Sequence, residues 1–197
     1  PELSIVRLEQ QRAWLPRQRF TVLHVLHLSS IMHCACSTGE HAWGLERSAE
    51  LWEAFSRSPL RRTAALRALV HLGHARLLLN EHIRSPGDTR VLRLVEKDAE
   101  AIDESSAQAW RIRARLALLK GDRVRALELL DSSLADYTRR GWINEAVRDE
   151  YAIGRVQGGD AGEKSAKAAL DRMEQELGCP DARRNLKMYF PELAGSL

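Results

Sequence analysis

The sequence predicts an all-α protein built from antiparallel helix hairpins, and three observations carry that expectation. The apolar residues are Leu and Ala above all, with few Phe, Tyr or Ile, and Leu, Ala, Arg and Glu are strong helix formers. Runs of Val, Ile and Thr that would mark a sheet are scarce. Turn-forming residues recur at short intervals: Pro16, Gly39, Ser58-Pro59, Ser85-Pro86-Gly87-Asp88, Gly121-Asp122, Gly141, Gly158-Gly159-Asp160 and Gly178-Cys179-Pro180.

The segments between these breaks are apolar at helical spacing, which predicts helices over 2–14, 17–37, 40–56, 60–83, 88–102, 106–119, 122–138, 142–156, 161–177 and 181–189. Nothing between them is low in complexity, and no linker is long enough to separate independent domains. One domain over residues 1–197 is therefore expected, with about four hairpins that are degenerate at both ends. Short helices joined by tight turns each carry an apolar face that they cannot hide alone. Stacking successive hairpins buries those faces.

Small residues test the hairpin register, and residues 110–138 give the best fit. Trp110 stands at a large anchor position on the first helix. Ala114 falls four residues later, where two helices approach and only a small side chain fits. Gly121 occupies the turn, Asp122 is placed to cap the next helix, and Ala126 takes its small position. This stretch resembles the 34-residue tetratricopeptide repeat, although Ala117 and Thr138 stand where that repeat has its central Tyr and terminal Pro. The resemblance implies hairpins stacked into a short right-handed solenoid. A second hairpin leads from Leu28, Ile31 and Met32 through Gly39 to Gly44 at a small position. A third begins at Leu69, Leu72 and Gly73, with Ser85 to Asp88 lengthening its turn. A fourth runs from Trp142 to Gly159.

A second likeness covers residues 20–193. Leu51-Trp52-Glu53-Ala54-Phe55-Ser56-Arg57-Ser58-Pro59-Leu60-Arg61-Arg62, followed by a Leu/Ala/Arg helix over 63–79, resembles a recurrent segment in the C-terminal region of large bacterial serine/threonine protein kinases. Gly158-Gly159-Asp160-Ala161-Gly162, the helix with Ala169 and Met173, then Leu177-Gly178, Pro180 and Phe190-Pro191, resemble the end of the same regions. The resemblance implies a sensor or docking arm behind a catalytic domain. The chain itself has no Gly-rich phosphate loop, no Val-Ala-x-Lys strand, no His-Arg-Asp loop and no Asp-Phe-Gly, so these residues are not expected to transfer phosphate.

Composition narrows the function classes. With 30 basic and 27 acidic residues, the net charge of +3 is too mild to argue for nucleic acid. Arg far outnumbers Lys, which permits recognition of anions. Three cysteines, Cys34, Cys36 and Cys179, make no disulfide framework and suit a reducing compartment. No signal peptide and no membrane-length apolar run is present, because His24, His27, Ser29 and Ser30 interrupt residues 20–32. Cytoplasmic residence is expected. A first residue other than Met is expected of a fragment or a processed product.

Candidate chemistry is sparse. His24, His27, His33, Cys34, Cys36 and His41 cluster near the start, and His24 with His27, like His71 with His74, share a helix face. A zinc site needs four converging ligands, yet Cys34 and Cys36 would point about 200° apart on a helix. No metal, no cofactor and no nucleophilic triad is expected. The glycines at 158–162 lack the Lys-Ser or Lys-Thr of a phosphate loop. Trp14, Trp43, Trp52, Trp110 and Trp142 are spread along the chain and are expected to be packing anchors.

The sharper expectation is a groove. In a tetratricopeptide array the first helix of each hairpin lines the concave face. That register directs Gln108, Arg111, Arg115 and Leu118 there, with Arg67, Val70, His74 and Leu77 from the third hairpin and Leu26, Ser29, His33 and Cys36 from the first. Arg148 or Arg155 would join from the hairpin that begins at Trp142. Arg67, His74, Gln108, Arg111, Arg115 and Leu118 are accordingly the candidate partner-binding residues. Trp110 and Ala114 take the packing face, which leaves Arg111 and Arg115 free of the core. Such a groove suits an acidic peptide or a chain-terminal carboxylate. The expected function is a non-catalytic interaction module with a protein or peptide partner, a second copy of the chain included, and without nucleic acid or membrane. The alternative is the small-molecule-sensing helical domain of a transcriptional regulator.

Overall fold

A computed structural model describes residues 2–16, 18–103 and 106–193. Every regular element among them is helical: α1 Glu2–Arg12, α2 Val22–Thr38, α3 His41–Arg57, α4 Ala64–Arg84, α5 Arg90–Ala101, α6 Ala107–Leu119, α7 Arg123–Arg139, α8 Ile143–Gln157, α9 Gly159–Gln175 and α10 Ala182–Tyr189. Two 3-10 turns, Pro59–Arg62 and Pro191–Leu193, complete the set. The predicted all-α class is observed.

Several helix starts differ from expectation. The second helix begins at Val22 rather than 17, a position outside the described residues. Thr21 is its cap, and the Thr21 N–H is accepted by His24 Nδ1 at 3.1 Å. The fourth begins at Ala64, because Pro59–Arg62 forms a 3-10 turn in which Ser58 Oγ accepts from the Leu60 N–H at 3.1 Å. The ninth begins at Gly159, directly after the positive-φ Gly158.

The chain divides into two compact units, Pro1–Asp103 and Glu104–Leu197. In the first, α2 pairs with α3 and α4 with α5, while α2 also packs on α4. Gly44 permits the close approach of α2 and α3. A Cβ there would lie 2.3 Å from the Ala35 Cβ, a separation no real pair adopts. The core of this unit includes Val25, Leu28, Met32, Phe55, Leu77 and Leu79.

In the second unit α6 packs on α7, α7 on α8 and α8 on α9. Ser106 Oγ caps α6 by accepting from the Ala109 N–H at 3.2 Å. The expected Asp122 cap is present, its Oδ1 accepting from the Arg125 N–H at 3.0 Å. Ala114 and Ala126 are both fully buried. The crossing of α8 and α9 is backbone on backbone. A Cβ on Gly154 would meet the Ala166 nitrogen and the Gly162 oxygen at 2.7 Å, and one on Gly162 would meet the Gly154 oxygen at 2.5 Å. The second 3-10 turn comes back onto α6 and α8, which sets up the site described next.

Candidate functional site

Arg111 and Arg115 are four residues apart, so they share one face of α6. That face points into the second unit. Arg111 Nε donates to Asp149 Oδ1 at 2.7 Å, Nη2 donates to the Glu145 carbonyl oxygen at 2.8 Å, and Nη1 reaches the Glu145 carboxylate. The Arg111 guanidinium also lies 4.7 Å from the Tyr137 ring centre, within cation–π range. Asp149 has no exposed surface, and Ser133 Oγ on α7 lies 2.6 Å from its second oxygen. One guanidinium and one carboxylate thus tie α6, α7 and α8 together.

The electrostatics follow from burial and pairing. Burial opposes the Arg111 charge, but Asp149, Tyr137 and Glu145 outweigh it and raise its pKa above the ordinary arginine value. Burial likewise pushes the Glu145 carboxyl up, and Arg111 with Arg148 more than offsets this, leaving it below the ordinary glutamate value. Asp149 is buried more completely and stays above the ordinary aspartate value despite its pairing with Arg111. Burial lifts the Tyr137 phenol to about 12.

Arg115 is 1% exposed and forms a two-point bridge with Glu192 on the 3-10 turn. Nε donates to Oε1 at 2.7 Å and Nη2 to Oε2 at 2.9 Å, the fork geometry by which arginine reads a carboxylate. Beside it, the Phe190 ring is buried among Ala114, Leu129, Leu130, Ala152 and Val156, contributed by α6, α7 and α8. Leu118 and Leu193 pack on the same cluster. The Tyr189 ring lies 4.0 Å beneath the Arg148 guanidinium, whose Nε donates to Asn185 Oδ1 at 2.8 Å. Residues 189–193 therefore occupy the groove between α6 and α8, held by two rings, a carboxylate and an aliphatic side chain.

This geometry corrects the expectation that Arg111 and Arg115 stand free of the core. Both are buried and ion-paired inside the second unit, because α8 and residues 189–193 supply carboxylates opposite them. Gln108 and Leu118 are half-buried on the same helix. Arg155 pairs with Glu163 on α9 at 2.6 Å. Arg67 and His74 belong to the first unit. Arg67 Nε donates to the Ala101 carbonyl oxygen at 2.9 Å. His74 stacks on Trp52 at 3.8 Å, and its Nδ1 lies 2.7 Å from Asp98 Oδ2, while His71 Nδ1 lies 2.8 Å from Asp98 Oδ1. Val70 and Leu77, also expected in the groove, are core residues. Trp14 at 85% exposure and Trp142 at 49% are not packing anchors, whereas Trp110 packs against the core of the second unit.

Other chemistry is limited. Among the described residues no group of three or more His, Cys, Asp and Glu is placed to share a metal ion. Cys34 and Cys36 are buried, and burial pushes the Cys34 thiol up, away from the thiolate a nucleophile requires. A cavity of about 130 Å³ between α2 and α4 is lined by Met32, Cys36, Leu69, Leu72 and Arg76 among others. Among the described residues no helix is long and apolar enough to cross a membrane.

Comparison with family models, with curated proteins and with solved structures finds no match to this chain.

Proposed function

We propose that this chain is a non-catalytic protein-interaction module whose second unit docks a peptide segment between α6 and α8. One observation carries the reading: that groove already holds a short stretch of polypeptide by side-chain recognition. A buried arginine fork takes its carboxylate and an apolar pocket takes its ring. Peptide-recognising surfaces combine these features, a charged grip for orientation and an apolar pocket for affinity.

The tetratricopeptide-like arrangement is part of the proposal. Buried Ala114 and Ala126, Gly121 at the turn and Asp122 at the cap all support it. On this reading the unit serves as a docking arm, and the likeness to the C-terminal region of large bacterial serine/threonine kinases suggests a cytoplasmic signalling enzyme as its parent. A peptide-display selection against the full chain tests the docking. Enriched peptides, resynthesised, should slow amide exchange in α6 and α8. A selection without enrichment, or protection confined to other helices, removes the groove from the reading.

The cavity between α2 and α4 favours a second reading, the sensing of a small molecule that carries an acidic group toward Arg76. A thermal-shift screen of small organic acids tests it, with Arg76→Met as the control that should abolish any stabilisation.

A further inference from the structure

We propose that residues 189–193 are an internal ligand of the α6–α8 groove, and that the groove binds the same motif, aromatic–Pro–acidic–aliphatic, in a partner protein once this segment leaves. The inference rests on the docking reading above and names both the partner motif and its regulation.

The segment is attached to the groove by side chains. Its own backbone bonds run within the segment and to the preceding helix. The Phe190 N–H donates to the Leu186 carbonyl oxygen at 2.8 Å and the Leu193 N–H to that of Phe190 at 3.0 Å. What reaches α6, α7 and α8 is side chains: the Tyr189 ring beneath Arg148, the Phe190 ring, the Glu192 carboxylate and the Leu193 side chain. Recognition of this kind transfers to a separate peptide, because it needs no continuity with α10.

Arg115 makes the groove selective. Its side chain is 1% exposed, so an occupant without a carboxylate would forfeit, in a desolvated site, the two charge-assisted bonds that Glu192 accepts. Pro191 stands between ring and carboxylate, fixing φ and carrying no N–H that needs an acceptor, so the two anchors are preset at matched positions. The tether is firm up to the motif. Ala182 and Leu186 of α10 are fully buried in the core shared with α8 and α9. Release therefore concerns residues 190–193 with Tyr189, the last residue of α10, and leaves the rest of α10 in place. A tethered ligand acts at an effective concentration in the millimolar range, which shuts out a partner segment of ordinary peptide affinity.

The test is a titration of the fluorescent peptide Lys-Met-Tyr-Phe-Pro-Glu-Leu, residues 187–193, into the full chain, read by anisotropy. Glu192→Ala and Leu193→Ala each weaken the internal ligand, with folding checked by circular dichroism. Both should bind the peptide about 100-fold more tightly than the unaltered chain. A peptide with Gln in place of its Glu should bind at least about 10-fold more weakly, because hydrogen bonds to a charged group are the stronger kind and a neutral amide replaces that group. Equal affinity for the unaltered chain and the variants would overturn the inference, as would folded variants that bind no peptide. Dimerisation of the variants without peptide binding would also overturn it, assigning the groove to a second copy. Should both variants unfold, the unaltered chain decides. A millimolar excess of peptide should speed amide exchange at Phe190 and Leu193, and unchanged exchange would overturn the proposal. Display-selected peptides that protect α6 and α8 but lack the motif would sink this inference and leave the docking reading standing.

Discussion

Arg111 and Asp149 meet across α6 and α8 at 2.7 Å, in a region where the carboxylate has no exposed surface at all. Such a pair adds little net stability over a well-packed apolar pair, since removing two charges from water offsets most of their attraction. It makes the arrangement intolerant instead. Asp149 without Arg111 is a buried charge whose other bond is from the Ser133 hydroxyl, and Arg111 without Asp149 keeps only Glu145 as its carboxylate, so the two helices are bound to one relative placement.

Arg111→Met should therefore destabilise the second unit by about 3–5 kcal/mol, the usual cost of orphaning a buried charge, here Asp149. Replacing both partners, Arg111→Met with Asp149→Leu, should cost clearly less than Arg111→Met alone. Urea unfolding monitored by helicity measures both. A double variant as unstable as the sum of its single variants would mean that the two residues act independently.

The helices were readable because their signals are local: apolar spacing, Asp122 before α7, Gly and Pro between elements. The small positions were readable as well, and Ala114, Ala126 and Gly44 are all buried as the register required. The direction of the arginines was not. Arg111 and Arg115 follow the packing residues Trp110 and Ala114 by one position, and a helical wheel alone turns them toward solvent. Their burial depends on Asp149 and Glu192, which lie 38 and 77 residues away. Spacing within α6 carries no trace of such partners. The same holds for His71 and His74, whose shared face was legible while their common partner Asp98, on another helix, was not. A Phe-Pro-Glu-Leu run just beyond a short helix was the one available signal for residues 189–193, and as sequence it resembles any helix terminus.

Close packing of α8 on α9 gives a sharper test than the charges do. Gly154→Ala and Gly162→Ala each place a methyl group within 2.7 Å of backbone atoms of the other helix, and backbone cannot swing aside as a side chain can. Each should cost about 1–3 kcal/mol, as overpacking does in other cores. Gly87→Ala supplies the contrast, because nothing lies within 4 Å of a Cβ there and its melting temperature should stay nearly the same. Equal effects at all three positions would argue against the backbone contact.

Acid should weaken the contribution of Glu145. Its carboxyl titrates below its ordinary value of 4.5 in the folded chain, so the unfolded chain takes up the proton first. The stability it supplies is present above pH 4.5 and is lost as pH falls through the lowered value. Asp149, held above its ordinary value, works with the opposite sign, so total stability is a poor readout. The difference between the unaltered chain and Glu145→Gln isolates one group. That difference should be largest near pH 6–7 and shrink toward pH 3. Urea unfolding across this range measures it, and a difference that stays constant or grows in acid would contradict the assignment.

Reversing both arginines, Arg111→Glu with Arg115→Glu, separates a buried clamp from a solvent-facing groove most directly. Were the two side chains free on a concave surface, the double variant would keep its helicity and lose only a partner. Their surroundings dictate another outcome. Arg111→Glu sets a carboxylate against Asp149 and Glu145, and Arg115→Glu sets one against Glu192, so two attractions become repulsions between poorly solvated groups. Each site loses at least the roughly 3–5 kcal/mol of a broken buried pair. Together they amount to roughly 6–10 kcal/mol or more, comparable with the whole stability of an ordinary domain, about 5–15 kcal/mol. The second unit should fail to fold in the double variant, with loss of helicity and rapid amide exchange throughout α6 to α9. The first unit contains neither residue, so amides of α2 and α4 should stay protected in the same sample. A fully helical double variant with slow exchange in α6 would place both guanidinium groups in solvent and undo the groove described for residues 189–193.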